Sequence, residues 1–572
     1  MRNPLSIKLG QINPTIGDME GNIALMSAVA AEAQAEGVDM VVFPELALTG
    51  YTPGDLLADP LFAERLNDAR ALLCEASRKT PDVYWVVGQP LRKEGGASGS
   101  FYNGVQVLLN GVVVLTQSKQ SLSGDGVFDE HRHFSAGGES VKVLRIRDAT
   151  VGFLIGADAW CDGGSDCPTA PLRRLADASP DLVVSLQASP SSKGARRNRH
   201  QRIAEVCTRY HLSMVCVAQV GGQDHIVFDG GSFAVDAEGT VLFEAKRFEP
   251  DAPTLRFELD PPRFVDGQGE ALAPIDPEGL PLMEFYRRQA VVGLRDYARR
   301  CGFKKALVGS SGGIDSALTI ALAAEALGAE NVVAITMPSV YSSEGSVSDS
   351  VTLCGNLGVT LYQVPIRDIV SQFSSSMEQS DVQEAPSGLA LENLQARVRG
   401  TLLMTYSNQY GPLLLTTGNK SEASVGYCTL YGDTNGGLGL IGDLYKTEVF
   451  ALSRHINDTA GRELIPNAII DKPPSAELAP GQKDSDALPP YEVLDDILKV
   501  RVEGPFLEPE EREAAQGTVD DLHLTENGRA TLQKVEQLIA RSEYKRRQSP
   551  PIIRMRAAPE AGRRVFIVAR QY

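Results

Sequence analysis

The stretch Lys304-Lys305-Ala306-Leu307-Val308-Gly309-Ser310-Ser311-Gly312-Gly313-Ile314-Asp315-Ser316 runs on into ALTIALAAEAL. A short apolar run passes through a glycine–serine turn into an alanine- and leucine-rich one. The first run reads as a strand and residues 314–327 as a helix. Glycines let backbone N–H groups approach an anion, serines add hydroxyl donors, and a helix N-terminus adds positive potential. Gly309, Ser310, Ser311, Gly312, Gly313, Ile314, Asp315 and Ser316 are therefore a candidate pyrophosphate cradle. Asp315 stands where it can hold Mg²⁺ against the phosphates. No Gly-Lys-Ser or Gly-Lys-Thr ending follows, so this is not the common triphosphate loop. A loop that holds the β,γ-pyrophosphate as a unit leaves the α-phosphorus open to attack. The expected chemistry is AMP transfer with pyrophosphate leaving. A turn that merely contains Gly and Ser is the plain alternative.

On either side of this loop, helical stretches alternate with apolar runs. A helix over 282–301 precedes it. NVVAITM, a helix over 345–357, TLYQVP, a helix over 393–407 and PLLLTTG follow it. This alternation is the signature of a parallel sheet with right-handed crossovers. The first ~245 residues hold more strands, among them SIKLGQ, MVVFPE, VYWVVGQP, TVGFLI, LVVSL and MVCVAQV, with a helix over 22–35. They read as a layered sandwich with helical outer faces. Between the halves, residues 249–281 are rich in Pro, Gly, Asp and Glu and read as a linker. The expected domains are 1–247, a linker over 248–281, and 282–572.

With 572 residues, 43% of them apolar, the chain can bury more than one core, which excludes a wholly disordered protein. A net charge of −18 argues against nonspecific binding to nucleic acid or anionic membranes. The run Arg196-Arg197-Asn198-Arg199-His200-Gln201-Arg202 fits a salt-bridged helix face better than a nucleic-acid contact. No apolar run approaches a membrane span, and the N-terminus lacks the pattern of a signal peptide, so the cytoplasm is the expected location. The eight cysteines and seven histidines show no metal-ligand spacing. The isolated pair His131 and His133 reads as surface.

Several further segments of the second half make a resemblance specific. They are Met337-Pro338-Ser339, Glu392-Asn393 with Gln395-Ala396-Arg397, Thr417 to Glu422, Tyr427 to Asp433, Lys472 to Leu478, and Lys545-Arg546-Arg547-Gln548. In this order, over about residues 285–550, they resemble the glutamine-dependent NAD synthetases. The resemblance implies a Rossmann-like, doubly wound N-type ATP pyrophosphatase fold that makes NAD from deamido-NAD through an adenylate. By that resemblance Thr417 binds ATP, and Asp315 and Glu422 are the Mg²⁺ ligands. Asn393, Glu422, Tyr427, Cys428, Thr429, Leu430 and Lys545 contact deamido-NAD. Lys472 is a cation for the adenylate or pyrophosphate. Asp315, Glu422 and Lys472 are thus the candidate catalytic residues. The family also implies at least a homodimer.

The first half resembles the nitrilase/amidase superfamily, a four-layer α-β-β-α sandwich, in GQINPTIGDMEGN (from Gly10), FPELALTGYTPGDLL (from Phe43), KQSLSGDGVFDEHRHF (from Lys119) and FDGGSF (from Phe228). In that family a Glu is the general base, a Lys stabilises the tetrahedral intermediate and a Cys forms a thioester. Glu45 and Lys119 match the first two. The cysteine does not carry over. Strand TVGFLI ends in Ile155-Gly156-Ala157-Asp158-Ala159-Trp160, with Gly156 at the nucleophile position and Ala157 at the glutamate that follows it. Substrate positions depart too, at Asp125 and Ala195. Glu45, Lys119 and Gly156 are accordingly expected to be vestigial, and ammonia is the expected nitrogen donor. Three readings compete. One is a working glutamine amidotransferase using another nucleophile such as Cys161. A second makes the first domain a scaffold or partner-binding module. The third, a different AMP-forming pyrophosphatase, fits the loop but not the later motifs.

Overall fold

The computed structural model describes residues 2–93, 100–124, 129–161, 169–266 and 269–557. Asp125 lies outside them. The chain forms two compact units. One comprises residues 1–221 with 228–279, the other 222–227 with 280–572.

The first unit holds two sheets. Strands β1 (Leu5–Leu9), β2 (Met40–Val42), β3 (Tyr84–Arg92), β4 (Phe101–Leu109) and β5 (Val112–Ser118) build one of them. The other contains β6 (Val143–Ile146), β7 (Ala149–Ile155), β8 (Leu182–Gln187) and β9 (Met214–Ala218). After the hairpin β10 (Val220–Gln223) and β11 (Ile226–Asp229), β12 (Phe233–Val235) and β13 (Val241–Glu244) join the second sheet. The order in the second sheet is β13-β12-β9-β8-β7-β6. The inner faces interlock through Ile7, Val42, Val86 and Val107 from one sheet and Val151, Phe153, Val184 and Val215 from the other. Helices Met19–Glu36 and Pro60–Ser77 cover the outside of the first sheet, and Ala195–Tyr210 packs on the second. This is the expected α-β-β-α layering.

The segment expected as a linker is corrected here. Thr254–Leu259 and Pro262–Val265 form β14 and β15, and the first sheet runs β15-β14-β1-β2-β3-β4-β5. Strand β14 pairs antiparallel with β1, with Leu5 opposite Phe257 and Ile7 opposite Leu255. The Pro- and acid-rich composition concealed an apolar alternation at Leu255, Phe257 and Leu259, the mark of a half-buried strand. Residues beyond β15 stay with this unit, since Arg196 donates to the carbonyls of Asp276 and Pro277.

Two arginines of the basic run are paired inside the unit, while Arg197 and Arg202 are exposed. Arg196 pairs with Glu244 and Arg199 with Asp229, each at 2.8 Å. No helix among the described residues is long and apolar enough to cross a membrane.

The second unit is built on a parallel sheet of β16 (Ala306–Gly309), β17 (Val332–Thr336), β18 (Thr360–Gln363), β19 (Leu413–Thr416) and β20 (Leu438–Gly439). The order is β18-β17-β16-β19-β20. The chain leaves β16 first toward β17 and β18, then returns to lay β19 on its other side. That reversal opens a crevice beyond the carboxyl ends of β16 and β19, where open α/β sheets bind ligands. Helices Tyr491–Leu498, Pro509–His523 and Glu526–Arg541 add an apolar cluster around Leu494, Val519, Leu532 and Val535.

Candidate active site

Strand β16 delivers the glycine–serine loop into this crevice, and helix Ile314–Leu327 starts where the loop ends. Gly312 has φ +77°, and a Cβ on it would lie 2.3 Å from the Ser346 carbonyl oxygen. Only glycine passes there without moving backbone. The serines shape the loop before any ligand arrives. Gly313 N–H donates to Ser311 Oγ at 3.2 Å, Ser316 Oγ donates to the Gly313 carbonyl at 3.0 Å, and Ser310 Oγ donates to Ser350 Oγ at 2.9 Å.

A cavity of about 640 Å³ opens above the loop. Its lining includes Gly309, Ser310, Ser311, Gly313, Ile314, Asp315, Ser316, Thr417, Glu422, Tyr427, Cys428 and Lys472. Asp315 and Glu422 converge on one point, occupied by the ammonium of Lys446. Its Nζ is 2.6 Å from Asp315 Oδ2 and 3.0 Å from Glu422 Oε1. Asn419 caps helix Lys420–Val425 by accepting from Glu422 N–H, and donates to Asp315 Oδ1 at 2.8 Å. Burial pushes the Glu422 carboxyl upward against the pull of Lys446. Burial opposes the charge on Lys446, but Asp315 and Glu422 outweigh it and hold the amine protonated. Burial also pushes the Cys428 thiol up to about 12, so it offers no thiolate.

Other expected residues stand behind the cavity surface. Thr429 Oγ1 donates to Asn393 Oδ1 at 2.7 Å, and Arg397 Nε donates to the Leu430 carbonyl at 3.1 Å. Lys545 donates to the carbonyls of Gly426 and Cys428 at 2.7 and 2.6 Å, so its charge braces the loop bearing Tyr427. Lys472 lies 3.2 Å from Glu477 Oε1 and donates to Ser346 Oγ.

In the first unit, Glu45, Lys119 and Gly156 do come together. Lys119 Nζ is 2.8 Å from Glu45 Oε1 and 2.8 Å from Glu130 Oε1. Asn103 donates to Glu45 at 2.7 Å and to Glu130 at 3.3 Å. Gly156 follows β7 at φ +49°. A Cβ there would fall 2.7 Å from Lys119 Nζ and 2.9 Å from Glu45 Oε2. Residue 156 thus faces Glu45 and Lys119 and carries no side chain. Cys161, the alternative nucleophile, is disulfide-bonded.

Sequence reading missed Lys446, Glu130 and Arg399. Lys446 opens helix Lys446–Ala460, where the helix dipole opposes a cation. A lysine at such a start, after the apolar run LGLIG, was the available signal. Glu130 is 1% exposed beside the surface-facing His131, and nothing local distinguishes the two. Arg399 lines the cavity and donates to the Met337 carbonyl.

The family of NAD synthases matches residues 286–549, and that of carbon-nitrogen hydrolases residues 7–263. A glutamine-dependent NAD(+) synthetase of Synechocystis sp. is 40% identical over 553 residues, covering 96% of this chain and 95% of that protein. One from Thermotoga maritima is 38% identical, covering 95% of each. The solved structure of the Acinetobacter baumannii glutamine-dependent NAD+ synthetase, in complex with ADP, superposes with a TM-score of 0.75. It has 33% identity and covers 98% of this chain and 97% of that one. With both halves matched along nearly their whole length, this chain is a carbon–nitrogen ligase belonging to the glutamine-dependent NAD(+) synthetase family.

Proposed function

We propose that this chain amidates deamido-NAD to NAD, consuming ATP and releasing AMP and pyrophosphate, with free ammonia as the nitrogen donor. The glycine–serine loop and the start of helix Ile314–Leu327 hold the β,γ-pyrophosphate. The nicotinate carboxylate of deamido-NAD then attacks the α-phosphorus to give an acyl adenylate. Ammonia attacks the acyl carbon, the C–O bond to AMP breaks, and a nitrogen proton leaves with the AMP phosphate. Tyr427 and Cys428 line the dinucleotide end, with Lys545 bracing their loop. Lys472 is the cation for the departing pyrophosphate. The paired carboxylates of Asp315 and Glu422 already surround one cation and are hard oxygen donors, so they fit Mg²⁺ completed by phosphate oxygens. Mg²⁺ there would supply positive charge to the phosphates. Thr417, at the end of β19, contacts ATP. A homodimer or larger assembly is proposed by family likeness, and light scattering in solution tests it.

The observation that carries the nitrogen source is Gly156, which faces Glu45 and Lys119 and has no side chain. A second reading is favoured by the names of the relatives, which are glutamine-dependent. It keeps Glu45 and Lys119 as base and electrophile and needs a nucleophile other than residue 156. NAD formation with NH₄Cl and with ammonia-free glutamine separates the two. Turnover on ammonium alone is the expected result. Equal turnover on glutamine, free of contaminating glutaminase, would establish the second reading instead.

A further inference from the structure

The cation between Asp315 and Glu422 is the protein's own. Lys446 is 2% exposed, and its Nζ lies within 3.0 Å of both carboxylates. It is held there against the dipole of the helix it begins, so the carboxylates and the Tyr491 ring 5.2 Å away are its retaining contacts. Its main chain is fixed independently, because Lys446 N–H donates to Ser421 Oγ at 2.9 Å. The side chain can therefore turn while the helix start stays in place. Among the described residues, no group of three or more His, Cys, Asp or Glu forms a complete metal cage. A divalent ion arriving without phosphates would meet two carboxylates already paired with an ammonium.

We propose that Lys446 is a resident counter-cation that keeps divalent metal out of the Asp315–Glu422 pair until a nucleotide brings phosphate oxygens. These oxygens then serve as its new partners and as the remaining metal ligands. The inference rests on the reading of Asp315 and Glu422 as the metal pair. It adds an order of events, in which metal enters with nucleotide and the lysine moves from carboxylate to phosphate.

Mn²⁺ titration of the full chain, followed by electron paramagnetic resonance, tests this with and without a non-hydrolysable ATP analogue. The wild type is expected to take up Mn²⁺ at this site only with the analogue. Lys446→Gln and Lys446→Met are expected to bind Mn²⁺ alone at least tenfold more tightly than the wild type, and Asp315→Asn added to either should abolish that gain. Tight Mn²⁺ uptake by nucleotide-free wild type overturns the inference, and it needs no variant to fold. Folded Lys446 variants that bind Mn²⁺ alone no better than wild type overturn it as well. Failure of the wild type to bind Mn²⁺ even with the analogue refutes the metal pair itself, a separate outcome.

Discussion

Replacing Lys119 by Met removes the cation from a buried cluster and leaves both carboxylates in place. Lys119 and Glu45 are each 2% exposed and Glu130 is 1% exposed. The ammonium makes both ion pairs at 2.8 Å, and Asn103 is the remaining donor shared by the two glutamates. Breaking a buried pair by deleting one partner costs about 3–5 kcal/mol, because an uncompensated charge stays behind. Here two carboxylates stay behind facing each other, so the upper half of that range is expected. Such a loss is a large share of the ~5–15 kcal/mol that holds a typical domain. Both tryptophans, Trp85 and Trp160, belong to the first unit, and Trp85 is fully buried. Urea unfolding followed by tryptophan emission therefore reports on that unit. Ammonia-dependent NAD formation should persist in the variant under conditions where it remains folded. A stability loss below about 1 kcal/mol would refute the reasoning that these residues persist as a structural ion cluster.

Three further outcomes follow. Gly312→Ala places a methyl 2.3 Å from the Ser346 carbonyl at φ +77°. It should cost about 1–3 kcal/mol of local strain and raise KM for ATP at least tenfold, with KM for deamido-NAD little changed, as steady-state kinetics will read. Lys545→Met strips the donor from two carbonyls, a loss of about 1–3 kcal/mol, and should raise KM for deamido-NAD roughly tenfold with ATP binding retained by calorimetry. Burial alone would raise the Glu503 carboxyl, but Lys420 and Arg556 outweigh it and hold it down at about 2. Its stabilisation is therefore full above the unfolded value of about 4.3 and is lost as pH falls toward 2, roughly 3 kcal/mol in all. The urea midpoints of wild type and Glu503→Gln should converge over that interval and stay apart at pH 6.

The strand–turn–helix order around residues 309–316 was legible because one short stretch carries its own geometry. An apolar strand, flexible glycines and a helix start must follow one another, and helix Ile314–Leu327 begins and ends where its pattern does. The place of Gly156 was legible for a similar reason, since it is the residue that directly follows a clear strand. Lys446 and Glu130 were not legible, because their meaning depends on partners 131 and 11 residues away in sequence, at Asp315 and Lys119. Strands β14 and β15 were hidden by the charged and proline residues around them. Their apolar alternation is short, and its weight comes from pairing with β1, about 250 residues earlier. Lys545 was named as a substrate contact by likeness, and its ammonium faces backbone carbonyls, a geometry that residue type alone does not specify.

The pairing of β14 with β1 decides where this chain can be cut. A fragment ending at residue 247 would strip β1 of one of its two neighbours and bare a row of unsatisfied main-chain groups beside Leu5, Ile7 and Leu9. Phe257 and Phe264, both wholly enclosed, would go with the discarded piece and leave a trough in the sandwich. Such a fragment is a candidate for sticking to its own kind through that open flank. Any attempt to isolate the amino-terminal half should retain the chain through Gly279, where the compact unit ends.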